Sequence, residues 1–405
     1  MIATKIFKEF FESERAGGIV LVFFTLIALA IANSPLGEGY MHGLHQSILG
    51  LSLEHWVNDG LMAIFFLLVG LELEREIYAG ELRSFRNALL PICAATGGMV
   101  VPAAIHLAFT YGTVSQRGAG IPMATDIAFS LGVLSLLSNR VPFALKIFLT
   151  ALAIADDLGA VLVIAIFYTK SISIGYLATA MAIFLVLCLL NRRSVDAMWI
   201  YLAGGGCMWF CMLHSGIHAT LSGVLVAFAL PFRDGGEHTP SSRLQHWLHY
   251  PVAFGVLPIF ALVNTCIPIG DDWLEGLTQS NSLGIFFGLV VGKPLGILLL
   301  CLVAVRCQIC TLPQGLTWSH LVGASMLAGI GFTMSIFVSL LAFDGNEKMT
   351  NFSQITVLVA SLVAAVAGVV WFYLFVPKET RLSPIALRMK EDLELSGKGK
   401  RTQES

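Results

Sequence analysis

Four ionisable residues lie inside strongly apolar stretches of the sequence. Asp126 follows Thr125, Asp156 and Asp157 are neighbours in Ala-Leu-Ala-Ile-Ala-Asp-Asp-Leu-Gly-Ala, and Lys293 lies in Gly-Lys-Pro-Leu-Gly. A charge at the middle of a membrane costs about 2.5–3.5 kcal/mol, so each of these residues needs a reason to be there. Three acids and one base in such surroundings predict a functional constellation near mid-membrane.

A structural ion pair is the simplest alternative interpretation of these charges. One acid and one lysine could pair merely to hold a helix bundle together. Consecutive positions of a helix project about 100° apart, however, so Lys293 can neutralise only one of Asp156 and Asp157. The other carboxylate should then face water, and we therefore favour a functional role for the pair of acids.

The proximity of the two aspartates determines their chemistry. Two charges roughly 6 Å apart repel by about 3 kcal/mol at an effective dielectric constant of about 20. Burial adds to this cost, so at least one aspartate should exchange its proton near neutral pH. When ionised, it offers hard oxygen ligands that suit a small hydrated cation. A group that holds either a proton or a cation, but not both, is the site of an exchanger.

Composition places the chain in a membrane. Of its 405 residues 56% are hydrophobic and 12% are charged, and the mean hydropathy is +0.80. Soluble domains are about 45–50% apolar and about 25% charged. The net charge of −2 and the pI near 6.5 argue against nucleic-acid binding, which usually shows a basic stripe. The sequence therefore predicts a polytopic membrane protein whose partner is the lipid bilayer.

The chain contains twelve apolar stretches of near-spanning length. They predict an all-α polytopic membrane protein with about twelve transmembrane helices in a single domain over residues 1–376, followed by a polar cytoplasmic tail over 377–405 that we expect to be disordered. The stretches are Gly17–Asn33, Gly60–Gly70, Ala88–Tyr111, Ile121–Leu137, Pro142–Tyr168, Ile174–Leu190, Ala197–Leu213, Gly216–Pro231, Tyr250–Ile267, Ser282–Val305, Leu321–Phe343 and Ile355–Phe375.

The distribution of basic residues predicts the orientation. If both termini are cytoplasmic, most of the 24 lysines and arginines lie in cytoplasmic segments, and the opposite side holds Arg117, Lys170 and Lys348. The positive-inside rule therefore places both ends in the cytoplasm. The first stretch, with its basic lead-in, could alternatively be read as a cleaved signal peptide. Its removal would leave eleven spans and put the termini on opposite faces.

Two stretches are interrupted at corresponding points. Pro122 and the Thr125-Asp126 pair interrupt the fourth stretch, and Gly329 and Gly331 interrupt the eleventh. Broken helices in matching positions of two halves point to a binding site at the membrane midplane and to an inverted repeat of spans three to five and ten to twelve. Where two broken helices cross, their positive amino-terminal ends meet and their negative carboxyl-terminal ends meet. Asp126 is suited to offset the positive ends and Lys293 the negative ends.

The eight cysteines give no sign of a metal site or a disulfide framework. Most fall in apolar runs, where a thiol behaves as a small hydrophobe. The Cys307-Gln-Ile-Cys310 spacing lacks the second ligand pair of a zinc site. We expect no cofactor and no enzymatic activity.

Five motifs resemble, in order, those of the NhaA family of bacterial sodium/proton antiporters. They are Ala-Thr-Asp-Ile-Ala-Phe (124–129), Ala-Asp-Asp-Leu-Gly-Ala (155–160), Ser-Gly-Ile-His-Ala-Thr-Leu (215–221), Gly-Lys-Pro-Leu-Gly (292–296) and Gly-Ile-Gly-Phe-Thr-Met-Ser (329–335), and the likeness runs from about Phe7 to Phe375. The resemblance implies an inner-membrane protein with twelve spans, and electrogenic exchange of two protons for one sodium or lithium ion, activated at alkaline pH.

The resemblance also implies roles for individual residues. Asp156 and Asp157 would be the transport carboxylates and the sodium ligands, with Asp157 the principal one. Lys293 would be the partner of Asp156, and Thr125 and Asp126 would belong to the assembly of broken helices.

A regulatory cluster is predicted at the cytoplasmic face. Glu72 and Glu76 end the second span one helical turn apart, and His246 and His249 precede the ninth; the other interpretation of each is a solvated helix end. The resemblance favours a pH sensor, although Gln245 replaces an acid of the family's best-known members. His218, near the outer face, could modulate the pH response or be a structural histidine.

Three further possibilities remain open at the level of sequence. The outer loop Gln46–Leu53 could form the dimerisation hairpin of the family, although it is short. An intramembrane aspartyl protease would need two aspartates facing each other from two helices, which Asp126 and Asp157 could supply. A proton-coupled symporter of an organic solute would need a larger mixed polar site.

Overall fold

The computed structural model describes residues 2–48, 50–80, 83–137, 140–169, 172–233, 236, 239–270, 272–313 and 315–377. Nearly all of the described chain is helical, and the two strands found there form a small hairpin. The predicted polar tail, apart from residue 377, lies outside the described residues.

The first half of the chain forms nine helices and the hairpin among the described residues. They are α1 (Ile2–Ala32), α2 (Gly37–Leu44), β1 (Ser47–Ile48), β2 (Leu51–Ser52), α3 (Leu53–Tyr78), α4 (Phe85–Thr110), α5 (Val114–Met123, hydrogen-bonded as a 3-10 helix), α6 (Ile127–Leu136), α7 (Phe143–Phe167), α8 (Ile174–Arg192) and α9 (Met198–Leu213).

The second half forms seven further helices among the described residues. They are α10 (Leu221–Ala229), α11 (Pro240–Asn264), α12 (Trp273–Thr278), α13 (Ser280–Arg306), α14 (Trp318–Ala328), α15 (Phe332–Ala342) and α16 (Glu347–Phe375).

Each of the twelve predicted apolar stretches falls on a helix or a pair of helices. Seven helices of the described chain are long and apolar enough to cross a membrane, and the number rises to ten if each of three bent pairs is one span. The helix α9 lies in the seventh stretch, and α10 covers only Leu221–Ala229 of the eighth. The all-α polytopic architecture is therefore confirmed.

Two of the bent pairs are the interrupted stretches. The axes of α5 and α6 differ by 43°, and those of α14 and α15 by 44°. Pro122 precedes the first break, and proline lacks the amide hydrogen that a continuing helix needs. Gly329 lies at the second break, where a Cβ atom would collide with the carbonyl oxygen of Leu289. Each break leaves free backbone groups in the interior, where side chains can bind them.

The helices α4 and α13 cross in close contact at two glycines. A Cβ atom added to Gly97 would collide with the carbonyl oxygen of Gly296, and one added to Gly296 would collide with that of Gly97. The two helices run antiparallel, since His106 near the end of α4 meets Asn281 at the start of α13. The flanking helices of the predicted inverted repeat therefore pack directly on each other.

Helices α3 and α11 are also antiparallel neighbours. Ser241 at the start of α11 donates a hydrogen bond to Glu74 near the end of α3, and Asn264 at the end of α11 donates to Asn58 near the start of α3. We call the face where α3 ends and α11 begins the inner face, and the opposite one the outer face. The hairpin, with Gly50 at a φ of 88°, precedes α3 at the outer face.

Candidate functional site

The two broken helices cross, and their loose backbone ends bind each other. The amide of Asp126 donates to the carbonyl oxygen of Ile330 over 2.8 Å. The hydroxyl of Ser335 donates to the carbonyl oxygen of Ile121 over 2.7 Å. These bonds satisfy groups that an unbroken helix would satisfy internally, so the two breaks stabilise each other in the interior.

Asp126 lies where the amino-terminal ends of α6 and α15 meet. Its Oδ1 accepts a hydrogen bond from the amide of Phe129 over 2.9 Å, which makes Asp126 the N-cap of α6. Its Oδ2 accepts from the amide and the hydroxyl of Thr333, over 3.1 Å and 2.5 Å. A carboxylate at two helix amino termini offsets two positive dipole ends, as expected for this residue.

Lys293 and Asp156 form a fully buried ion pair. Lys293 Nζ lies 3.2 Å from Asp156 Oδ2, and both side chains are 0% exposed. Lys293 Nζ also donates to the carbonyl oxygen of Met123, the last residue of α5, over 2.5 Å. Thr125 Oγ1 lies 2.7 Å from Asp156 Oδ2 and 3.1 Å from the carbonyl oxygen of Ala328. The lysine thus contacts one of the two negative helix ends, and Thr125 contacts the other.

Asp157 has the opposite environment from its neighbour. It is 0% exposed, and neither of its carboxylate oxygens has a hydrogen-bond partner among the residues that the structure describes. A buried carboxylate normally accepts several hydrogen bonds. Asp157 instead lines a cavity of about 60 Å³, which is room for several water molecules or a small hydrated ion.

This cavity connects Asp157 with the inner half of the protein. Asp126 and Thr333 share its wall with Asp157, and Glu72 and His249 line its part nearer the inner face. The remaining lining residues are mostly apolar, from α1, α3, α6, α11 and α15. Glu72, Asp126 and Asp157 therefore present acidic oxygens to a cavity whose remaining wall is mostly apolar.

The structure brings only part of the predicted regulatory cluster to the cavity. Glu72 and His249 line it. Glu76 is buried at the end of α3, with its carboxylate 3.7 Å from the guanidinium of Arg75, and His246 is exposed on α11. His218 lines a separate cavity at the outer face.

Two polar residues of this region were missed by the sequence reasoning. Thr333 belongs to the motif at residues 329–335, yet its contact with Asp126 was not predicted. The sequence feature that could have indicated this contact is a threonine two positions after Gly331, at the start of a broken helix. Glu74 is 3% exposed and accepts a hydrogen bond from Ser241 over 2.7 Å. It lies two positions from Glu72, so it faces another side of α3 and binds α11 outside the cavity.

Comparison with known proteins yields a consistent set of relatives. The sequence model of the Na+/H+ antiporter 1 family matches residues 8–372. A protein named Na(+)/H(+) antiporter NhaA from Cytophaga hutchinsonii is 54% identical over 393 residues, which is 97% of this chain and 100% of the relative. Na(+)/H(+) antiporter NhaA 1 of Flavobacterium johnsoniae is 56% identical over 92% of this chain and 97% of its own length. The Na(+)/H(+) antiporter NhaA of Vibrio campbellii is 47% identical over 92% and 96%.

Proposed function

Because the chain belongs to the Na+/H+ antiporter 1 family, we propose that it exchanges sodium or lithium ions for protons across the bacterial inner membrane. We further propose a stoichiometry of two protons per cation, activation at alkaline pH, and a role in sodium and pH homeostasis. The names of the relatives support the exchange of sodium for protons.

One observation carries this proposal: a buried carboxylate without partners among the described residues faces a small cavity. The two oxygens of Asp157 are unpartnered among the described residues, while the adjacent Asp156 is held by Lys293. An ionised Asp157 would bind a cation, and a protonated Asp157 would not. Proton and sodium therefore compete for one group, which is the requirement for exchange.

Two protons per sodium ion require a second titrating group near Asp157. The Asp156–Lys293 pair is the nearest candidate in the described chain, because it is fully buried and adjacent in sequence. The arrival of a sodium ion beside this pair would favour loss of a proton from it by charge repulsion. Exchange of two positive charges for one would then respond to the membrane potential.

Regulation by pH is proposed for the inner part of the cavity. Glu72 and His249 line it. A change in the charge of either residue would alter the entry of a cation toward Asp157 by attraction or repulsion. Glu76, His246 and His218 do not line this cavity, and their regulatory role rests on the family resemblance alone.

The proposed orientation has both termini in the cytoplasm, with the inner face cytoplasmic. It is supported by the basic residues at this face, among them Arg75 and Arg243. Homodimerisation through the short hairpin before α3 is proposed on the family resemblance. A single domain over residues 1–376 is supported by the family match across residues 8–372.

The rival functions fit the site less well. In an aspartyl protease, Asp126 and Asp157 would share an activated water molecule, but both oxygens of Asp126 already accept bonds from Phe129 and Thr333. A symporter of an organic solute would need a larger space than the roughly 60 Å³ beside Asp157.

The direct test uses everted membrane vesicles with a respiration-driven pH gradient. Sodium or lithium should dissipate the gradient, and more strongly as the pH of the assay is raised. Potassium should not dissipate it. Absence of a sodium response across this pH series would contradict the proposal.

A further inference from the structure

Helix α13 contains a wide turn immediately before Lys293. Residues Gly288–Gly292 form this π-helical turn, and the amide of Lys293 donates to the carbonyl oxygen of Gly288, five residues back. In a regular α-helix the same amide would bind the carbonyl oxygen of Leu289, four residues back. The wide turn thus adds one residue to the helix, which changes the direction of the Lys293 side chain by about 100° relative to the residues before the turn.

A buried proline follows the wide turn. Pro294 has no amide hydrogen, so it cannot bind the carbonyl oxygen of Val290, and in a regular α-helix its ring would collide with that carbonyl group. Helix α11 repeats this arrangement: the amide of Leu257 donates to the carbonyl oxygen of Val252, five residues back, and Pro258 follows. The same long hydrogen bond directly before a proline in two helices indicates that the proline favours the wide turn.

The wide turn packs against both broken helices. A Cβ atom added to Gly288 would lie 2.7 Å from the Cβ atom of Pro122, before the first break. The carbonyl oxygen of Leu289, which the turn leaves without its usual amide partner, would lie 2.6 Å from a Cβ atom added to Gly329, at the second break. A proline alone does not widen a helix, since Pro102 lies inside the regular helix α4. The proline after the wide turn therefore acts together with these close contacts.

The bonds of Lys293 depend on the direction that the wide turn sets. Its Nζ lies 3.2 Å from Asp156 Oδ2 and donates to the carbonyl oxygen of Met123, and its side chain is 0% exposed. A buried ammonium group needs its partners within bonding distance, because no water replaces a lost bond. A change of helical register by one residue would turn the lysine about 100° away from both partners.

We propose that Pro294 is a positioning residue for the exchange reaction. By disfavouring regular helical hydrogen bonds, it keeps the turn Gly288–Gly292 wide and so keeps Lys293 directed at Asp156 and Met123. The inference rests on the proposed function, in which the Asp156–Lys293 pair releases one of the two protons. Pro294 itself binds neither a proton nor a cation, and it acts on exchange through Lys293.

Pro294→Ala tests this role in proteoliposomes. Alanine restores the amide hydrogen and is the best helix former, so replacement of a merely tolerated proline should stabilise the protein and leave exchange unchanged. We instead expect the maximal exchange rate to fall about tenfold, the size of one charge-assisted hydrogen bond. The pH of half-maximal exchange should shift as well, because the distance between Lys293 and Asp156 sets how firmly the pair holds its proton. Pro258→Ala is the matched control: it alters the same kind of turn beside the uncharged Leu257 and should not shift this pH.

Melting temperatures of the purified variants test whether Pro294 acts through Lys293. Pro294→Ala should lower the melting temperature of the wild-type protein but not that of Lys293→Ala, which has no ion pair to misdirect. Pro258→Ala should change the melting temperature equally in the two backgrounds. Equal losses from Pro294→Ala in both backgrounds would overturn the positioning role, and so would an unchanged pH of half-maximal exchange.

If Pro294→Ala does not fold, Pro294→Ser restores the same amide hydrogen and provides the same comparison. Wild-type exchange is measured first in the same liposomes. If the wild-type protein does not exchange sodium for protons, the proposed function itself fails. If it does and the Pro294 variants behave like wild type, only the positioning role fails.

Discussion

At the scale of single residues, the site depends on two adjacent carboxylates with different partners. Asp156 is bound by Lys293 and Thr125, whereas Asp157 has no partner among the described side chains. Adjacent helical positions necessarily point in different directions, so one residue pair can combine a fixed ion pair with an exchangeable ligand. The sequence predicted this division of roles, because the single lysine could satisfy only one aspartate.

Lys293→Ala should destabilise the protein. It leaves the buried Asp156 carboxylate without its counter-charge, a loss on the order of 3–5 kcal/mol, and should lower the melting temperature of the purified protein. Lys348→Ala, which removes an exposed lysine paired with Asp272, is the control and should melt close to wild type. A variant lacking both Lys293 and Asp156 should recover part of the loss; if Lys293→Ala alone melts like wild type, the ion pair does not stabilise the fold.

The apparent sodium affinity should decrease as pH falls. If a proton must leave Asp157 before sodium binds, the affinity drops about tenfold per pH unit for each proton displaced, once the pH is well below the titration midpoint of the site. The maximal rate at saturating sodium should change much less. Initial exchange rates over a matrix of pH and sodium concentrations measure both quantities, and an affinity independent of pH would argue against competition.

Other residues of the site could not be predicted from the sequence. The hydrogen bonds from Thr333 to Asp126 depend on the crossing of two distant segments, which no local pattern specifies. Glu74 and Glu72 have the same residue type and nearly the same position, and only the packing of α11 shows that one binds Ser241 and the other lines the cavity. The hydropathy of the sequence alone cannot show which of these two glutamates faces the cavity and which faces α11.

At the scale of elements, α4 and α13 pack closely against each other beside the broken helices. Gly97 and Gly296 permit this approach, since each lies against the carbonyl group of the other. Lys293 is one turn from Gly296, so the distance between α4 and α13 also sets how far the lysine reaches toward Asp156 and Met123.

Gly97→Ala should therefore destabilise the protein and impair exchange together. The added Cβ must push α4 and α13 apart, at a cost of about 1–3 kcal/mol for overpacking. Gly206→Ala is the matched control: Gly206 lies inside α9 with no atom near the position of a Cβ, so alanine should be neutral or slightly stabilising. The melting temperatures of the two variants test this prediction. Equal melting temperatures would show that α4 and α13 tolerate a wider separation at their crossing.

The sequence predicted the existence of these elements better than their form. Pro122 and the glycines of the eleventh stretch correctly indicated two interrupted helices. The short π-helical segments Trp56–Leu61, Val252–Val256 and Gly288–Gly292 left no readable pattern, because one extra residue in a helical turn hardly alters apolar periodicity. The stretch Gly216–Pro231 is mostly apolar, yet it is helical only from Leu221 to Ala229.

At the scale of the whole molecule, two cavities lie on opposite faces of one helical assembly. The inner cavity reaches Asp157, and the outer one is lined by Trp56, Asp59 and His218. A transporter that opens to one face at a time requires a barrier between two such cavities. Composition predicted the membrane class directly, but the positions of the cavities follow from packing among distant segments.

The orientation predicts which loops face the outside of the cell. In a background without the eight native cysteines, Gly270→Cys, before α12, should react with an impermeant thiol reagent applied to intact cells. Thr311→Cys, in the loop between α13 and α14, should react only after the membrane is permeabilised. The reverse pattern would contradict the cytoplasmic location of both termini.

Sodium-driven proton movement by purified protein in liposomes, compared between wild type and Asp157→Asn, tests directly whether Asp157 carries the exchange. Asparagine keeps the volume of Asp157 but neither titrates nor carries a charge. We predict that an imposed sodium gradient moves protons through the wild-type protein and that a membrane potential alters the rate. Asp157→Asn should abolish the movement while remaining folded. Asp196→Asn, which changes an exposed acid beside Arg233, should retain it. Normal sodium-driven proton flux in Asp157→Asn would show that Asp157 is not the exchanging carboxylate.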